Sequence, residues 1–202
     1  MKIICIGRNY SDHIEELDNQ KPKNPVIFMK PDTSLIQKNQ PFFIPSFSDD
    51  IHHEIELVVK INRIGKYIDK KFAHKYYENI TVGLDFTARD FQNDLKAKGL
   101  PWEKSKAFDG SALTGKWINK NELDLTNLNF YLNINNKIVQ NGNSSLMLWK
   151  IDEIISHISQ FFTLKIGDLI FTGTPSGVST VKKEDVLEGY IEDVECFKIK
   201  IK

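Results

Sequence analysis

Two glutamates, Glu54 and Glu56, interrupt the apolar run IHHEIELVV at residues 51–59. Side chains of a strand alternate between its faces. Both carboxylates therefore leave one face, about 7 Å apart at strand rise, while Ile55 and Leu57 enter the core. Like charges placed this way on a half-buried strand repel, and a lysine, an arginine, a shared proton or a cation has to offset that cost. A solvated strand face would carry them cheaply, and the pair alone does not decide between the two. A third acid, Asp85, lies near the end of the apolar run ITVGLDF at 80–86, where an unpaired carboxylate is costly. Three carboxylates and no thiol make a hard, all-oxygen donor set, which suits Mg²⁺ or Mn²⁺ and not structural zinc. So few protein ligands leave positions open for water and substrate, the hallmark of a catalytic metal.

Other residues have the right types but carry less by themselves. His13 and Glu16 are three apart in SDHIEE, one helical turn, so the carboxylate can orient the imidazole as a base. A surface capping turn is the plain alternative. Lys106, in PWEKSKAFDG, would ordinarily be a solvated lysine. Arg89 follows Asp85 by four, and alone reads as a helical salt-bridge residue. Thr174, in GTPSG, is by composition a turn. His52 shares the glutamate face but lies further along, a candidate to support the carboxylates from behind. His53 points the other way and is expected to be structural.

The elements that must hold these groups are mostly strands. Strand-like runs cover 2–7, 25–30, 54–61, 80–86, 129–139, 168–173 and 195–201, several with the alternation of half-buried strands. Asn135-Asn136 interrupts one of them as a hairpin turn. Helices are expected at 11–16, 71–78, 87–98 and 147–161. The third is closed by Gly99 and Pro101. In the fourth, Ile151, Ile154, Ile155 and Ile158 form one apolar face. Strands outnumber helices and do not alternate with them, so the class is β-rich α+β and not a βαβ dinucleotide fold.

Composition narrows the function. Of 202 residues, 27 are Lys or Arg and 27 Asp or Glu, and this balance leaves no electrostatic footprint for nucleic acid or an anionic membrane. Cys5 and Cys196 are the only cysteines. They form neither a disulfide framework nor a metal motif, and fit reduced thiols in a cytoplasmic protein. The opening MKIICIGRNY reads as a strand, since it lacks the apolar core and cleavage site of a signal peptide. No stretch approaches the roughly 20 apolar residues of a membrane span.

Seven stretches together resemble the fumarylacetoacetate hydrolase family, in its short single-domain branch of acylpyruvases and oxaloacetate decarboxylases. They are GRNYSDHIEE (7–16), FMKPDTS (28–34), HHEIEL (52–57), GLDFTARDFQ (83–92), GLPWEKSKAFD (99–109), GNSSLM (142–147) and GDLIFTGTPSGV (167–178). They come in the family's order and cover nearly the whole chain. The resemblance implies one catalytic domain over 1–202, a mixed β-sandwich roll and, usually, a homodimer. It implies Glu54, Glu56 and Asp85 as ligands of Mg²⁺ or Mn²⁺. A His13–Glu16 dyad on a mobile lid at about 10–20 would activate water. Lys106 would stabilise a developing enolate or oxyanion; its spacing to Phe108 and Asp109 distinguishes it from nearby Lys104. Arg89 and Gln92 would bind substrate or support the site from behind, Thr174 would bind the substrate carboxylate, and Lys30 would serve the metal or the substrate. The implied ligand is a small 2-oxo or 2,4-dioxo acid. The expected reaction is hydrolysis of an acylpyruvate to pyruvate and a carboxylic acid. Decarboxylation or tautomerisation of oxaloacetate, or isomerisation of a 2-hydroxydienoate, is the alternative, because all share an enolate. A catalytically silent module that binds Mg²⁺ and an oxo acid is the alternative of another class.

Overall fold

The computed structural model of the chain describes residues 1–16, 20–37 and 40–202. The chain is strand-rich α+β. In order it forms β1 (Ile3–Gly7), α1 (Ser11–Glu16), β2 (Val26–Lys30), β3 (Ile51–His53), β4 (Ile55–Ile61), α2 (Lys70–Ala73), β5 (Tyr77–Asp85), β6 (Thr87–Ala88), α3 (Arg89–Ala97) and α4 (Glu103–Lys106). Then follow β7 (Ala112–Thr114), β8 (Ile118–Asn119), β9 (Asn129–Ile134), β10 (Lys137–Asn143), α5 (Ile151–Phe161), β11 (Leu169–Phe171), β12 (Ser179–Thr180), β13 (Val186–Ile191) and β14 (Val194–Lys200).

The largest sheet runs β2-β1-β11-β4-β5-β7, with β8 also on β5. A four-stranded sheet, β10-β9-β13-β14, lies against β4 and β5, and a short sheet joins β12, β3 and β6. Leu57, Val59 and Val82 of the large sheet share one core with Leu132, Leu187 and Phe197 of the small one.

Strand direction is what gathers the chemistry. β1 is parallel to β11, β11 antiparallel to β4, and β4 antiparallel to β5. The C-terminal ends of β1, β5 and β11 and the N-terminal end of β4 therefore share one end of the sheet. Register refines this: Ile55 faces Leu84 and Glu56 faces Gly83, and the Asp85 N–H donates to the Glu54 carbonyl at 2.9 Å.

Several elements differ from expectation for identifiable reasons. The helix expected at 147–161 begins only at Ile151. Met147 and Lys150 are extended, with ψ of 134° and 162°, and the Leu148 and Trp149 N–H groups tie this lead-in to the carbonyl and side chain of Asn9 at 2.9 and 2.8 Å. Glu153 then accepts from the Lys150 N–H and closes the first turn,. The expected helix at 71–78 stops at Ala73, because Tyr77 already pairs with Ile61 in β5. Residues 87 and 88 belong to β6, which pairs with His52 and Ile51. Strand β13 was not anticipated, since Glu188 and Gly189 break its apolar pattern. A Cβ at Gly189 would stand 2.2 Å from the Phe197 ring, so glycine is what lets that ring lie across the strand,. The hairpin at Asn135-Asn136 forms as read, with φ of 51° and 66°, the left-handed pair that a two-residue loop requires.

Candidate active site

Glu54, Glu56 and Asp85 are buried, and one carboxylate oxygen from each lies within 4.8 Å of the others. Such crowding of anions away from water is unfavourable unless cations intervene. Lys106, from α4, places its Nζ 2.8 Å from both Glu54 Oε2 and Asp85 Oδ2. Arg89, at the start of α3, pairs with Glu54 Oε1, which also accepts from the Thr87 hydroxyl at 2.9 Å. Lys30 Nζ sits 2.7 Å from Asp85 Oδ1, although that oxygen accepts no well-angled hydrogen bond. Burial alone would raise the Glu54 carboxyl, but Lys106 and Arg89 outweigh it and hold it below the usual carboxylate range,. Burial likewise works against the Lys106 ammonium, and Asp85 and Glu54 overcome it and push Lys106 up.

Glu56 stands apart. Among the described residues it has no cationic partner, and its Oε2 accepts from the Gly173 N–H at 2.7 Å. Burial, then the charges of Asp85 and Glu54, push its carboxyl well up. An all-oxygen trio with one member lacking a counter-charge fits a divalent hard cation. Gly173 is needed for that amide to reach Glu56. Its φ is +102°, and a Cβ there would lie 2.7 Å from the Cβ of Asn9,.

The cavity around the trio, about 460 Å³ including its mouth to solvent, is lined by the carboxylates and by His13, Arg89, Gln92, Lys106 and Thr174. His13 Nδ1 is 3.2 Å from Glu16 Oε2, and Glu16 Oε1 in turn accepts from the Gly177 N–H at 3.0 Å. Burial lowers the His13 pKa against the pull of Glu54 and Glu16, which favours the neutral imidazole that a base requires,. The described part of the expected lid packs on the body: Tyr10 bridges to Met147, and Ile14 is buried. Residues 17–19 of that segment lie outside the described residues.

Three of the expected site residues take defined places. Lys30 does not line the cavity. Its ammonium is turned to Asp85, to the Ser111 carbonyl and hydroxyl at 3.0 and 2.9 Å, and to the Lys106 carbonyl. It thus stands behind the carboxylates, out of a substrate's reach. At the GTPSG turn the Gly173 amide is given to Glu56, and Thr174 lines the cavity. Arg89 is committed to Glu54 and, at 2.6 Å, to Gln92 Oε1. Lys104 is exposed, as its separation from Lys106 required. His53 is buried between Gln140 and Ser179, at 2.9 and 2.8 Å, a structural position. His52 sits behind Arg89, whose Nε lies 3.4 Å from its Nδ1.

Four further residues belong to the site. Gln140 donates to Thr174 Oγ1 at 2.8 Å and accepts from the Ile55 N–H at 3.0 Å, tying the turn to β4. Nothing in its local sequence marks it. Arg8, Lys96 and Trp102 line the cavity. Lys96 had a readable signal: Arg89, Gln92 and Lys96 recur at helical spacing on one face of α3.

The chain matches the profile of the fumarylacetoacetate (FAA) hydrolase C-terminal family over residues 2–202. It belongs to the fumarylacetoacetate hydrolase family. Oxaloacetate tautomerase FAHD1, mitochondrial, of Bos taurus is 38% identical over 200 residues, spanning 98% of this chain and 90% of the relative. Oxaloacetate decarboxylase, mitochondrial, of Dictyostelium discoideum is 43% identical over 189 residues, 93% of this chain and 87% of the relative. The crystal structure of fumarylpyruvate hydrolase from Pseudomonas aeruginosa in complex with Mn²⁺ and pyruvate superposes with a TM-score of 0.93 at 31% identity. It covers all of this chain and 89% of the other. These family likenesses agree with the α+β roll expected from sequence. The compartment named for the two relatives is the mitochondrion, not the cytoplasm that the cysteine usage suggested. Among the described residues no helix is long and apolar enough to cross a membrane.

Proposed function

We propose that this protein is a divalent-metal-dependent enzyme that acts on oxaloacetate, interconverting its keto and enol forms or releasing CO₂ from it, and that it works as a homodimer. The observation that carries the reading is the buried Glu54–Glu56–Asp85 set sharing one cavity with the Lys106 ammonium. The named activities of the relatives favour oxaloacetate over the acylpyruvates expected from the sequence resemblance.

A Mg²⁺ or Mn²⁺ ion held by Glu54, Glu56 and Asp85 would supply Lewis acidity toward the 2-oxo group. The chain's own residues do the rest. Two of the three Lys106 N–H donors are given to Glu54 and Asp85, which leaves one for the oxygen that gains charge as an enolate develops,. In tautomerisation a proton leaves C3, the C–H electron pair becomes the C2=C3 bond, and the 2-oxygen takes the charge and then a proton. Neutral His13, steadied by Glu16, accepts and returns that proton. In decarboxylation the C3–C4 bond breaks, its electron pair enters the same enolate, CO₂ departs, and protonation of C3 gives pyruvate.

Proton NMR of oxaloacetate with protein and Mg²⁺, against an EDTA control, tests this. Metal-dependent acceleration of keto–enol exchange or of pyruvate release is the expected result. Protein that binds Mg²⁺ and oxalate yet accelerates neither would overturn it. Light scattering at twice the 23.3 kDa chain mass checks the dimer.

Acylpyruvate hydrolysis is the second reading, favoured by the 3.2 Å His13–Glu16 contact. There His13 deprotonates a water that attacks the distal carbonyl. His13→Ala should slow acetylpyruvate cleavage and oxaloacetate tautomerisation by about 10²–10⁴-fold. It should spare decarboxylation, which needs no proton removed from C3. Equal loss of all three would refute the proton-transfer role. Because the His13 pKa is lowered, its neutral form persists as pH falls to 6.5 and is lost below. The proton-transfer reactions should show an acid limb below pH 6.5, and decarboxylation should lack it.

A further inference from the structure

We infer that Arg8 and Lys96 form a second anion subsite that holds the distal carboxylate of a four-carbon 2-oxo diacid and makes the cavity selective for diacids over monoanionic acylpyruvates. The inference rests on the oxo-acid site proposed above and names its substrate class.

The charges of the cavity lead to it. Its three carboxylates are matched in number by Lys30, Lys106 and Arg89, each paired with at least one of them. Arg8 and Lys96 line the same cavity, and among the described residues no carboxylate lies within ion-pairing distance of either. Lys96 is half-buried, with its Nζ 5.4 Å from the centre of the Trp102 ring. A ring face positions an ammonium without neutralising it. Burial, then the charges of Arg89, Arg8 and Lys106, bring the Lys96 pKa down to about 8. A bound divalent ion would add to this excess of positive charge. A monoanionic ligand compensates only the metal end, whereas a dianion also compensates the end where Arg8 and Lys96 stand.

Arg8 is also held where it is at a cost. Its φ is +60°, a left-handed conformation that a non-glycine residue keeps only when its surroundings enforce it. Asn9, fully buried, provides that enforcement. Its amide donates to the Thr172 and Trp149 carbonyls at 2.7 and 3.1 Å, and its oxygen accepts from the Trp149 N–H at 2.8 Å. The backbone at Arg8 is thereby fixed to the end of β11 and to the entry of α5.

Oxaloacetate and acetylpyruvate differ at C4 alone, carboxylate oxygen against methyl, and so isolate the subsite. Their dissociation constants, read by stopped-flow tryptophan fluorescence of the Mg²⁺-loaded protein, should favour oxaloacetate at least about tenfold, as a charge-assisted contact provides. Lys96→Met and Arg8→Gln should each remove most of that preference and change acetylpyruvate binding far less, while Lys96→Arg restores it. Lys96 is partly exposed on a helix, so its variants should fold. Absence of the preference in the wild type, or equal weakening of both ligands in the variants, overturns the subsite. Failure of both ligands to bind overturns the subsite and the oxo-acid site together. Selective binding of oxaloacetate without its turnover overturns the proposed reaction and leaves the subsite standing.

Discussion

Glu56→Gln should leave the melting temperature of the metal-free protein unchanged or higher, and it should erase the rise expected of the wild type with Mg²⁺ or Mn²⁺. Both halves follow from the position of Glu56. Its carboxylate has no cationic partner among the described residues and shares a 4.8 Å cluster with two other acids. Glutamine keeps the shape and an oxygen for the Gly173 amide, and it removes one of three mutually repelling charges. In the metal-loaded protein the balance inverts, because the lost charge is a lost ligand. At 100 times its dissociation constant a metal stabilises the wild type by about 2.7 kcal/mol, or about 5–10 °C for a chain of this length. Metal-dependent turnover of oxaloacetate should fall by more than ~100-fold with it. Thermal melts of both proteins, with and without metal, decide the matter. A metal shift retained in the variant removes Glu56 from the ligand set. No shift in the wild type would restore the simpler view of salt-bridged glutamates on a β-rich domain.

Lys106→Met has the opposite signature without metal. Its buried ammonium joins Glu54 and Asp85 at 2.8 Å each. Removing one partner from a buried ionic network leaves charge uncompensated and costs about 3–5 kcal/mol, roughly 6–20 °C of melting temperature here. Arg89 still faces Glu54 and Lys30 still faces Asp85, so the lower part of that range is expected. Added Mg²⁺ should recover part of the loss. Catalysis should not recover: kcat should drop by about 10²–10³-fold with a smaller change in KM, because the lost N–H acts on charge that develops during the reaction. A variant that melts lower in the metal-free state but keeps kcat within tenfold would make Lys106 a purely structural counter-ion.

The two variants also separate an enzyme from a silent metal-binding module. Such a module would show both thermal effects and no turnover of oxaloacetate or acetylpyruvate by the wild type.

Much of this was legible in the sequence, and for a local reason. Strand alternation places Glu54 and Glu56 on one face, and a lone acid ending an apolar run marks Asp85. The Asn135-Asn136 turn and the close of α3, where the Leu100 N–H returns to the Leu95 carbonyl,, follow from backbone preferences of the residues present. The spacing of His13 and Glu16 needs only one helical turn. The family resemblance added roles to residues that periodicity alone left as ordinary lysines, arginines and turns.

What the sequence could not show depends on groups distant along the chain. The extended lead-in to α5 is held by Asn9, about 140 residues away, which accepts from the amides of Leu148 and Trp149. Lys30 became a buried support and not a substrate contact because Asp85 and Ser111 converge on it from other elements. Gln140 acquires its role only where β10 passes between His53 and Thr174. The sequence by itself put Glu54 and Glu56 on one face, marked Asp85, set His13 and Glu16 one turn apart and gave the β-rich class, since those rest on residue type and on periods of two or about four; the roles of ligand and base came with the family resemblance. Only the tertiary structure decided which cations neutralise which acids, and that Arg8 and Lys96 are left facing the cavity. Charge compensation depends on distances of a few ångströms between separate elements, and strand pairing, not local propensity, sets those distances.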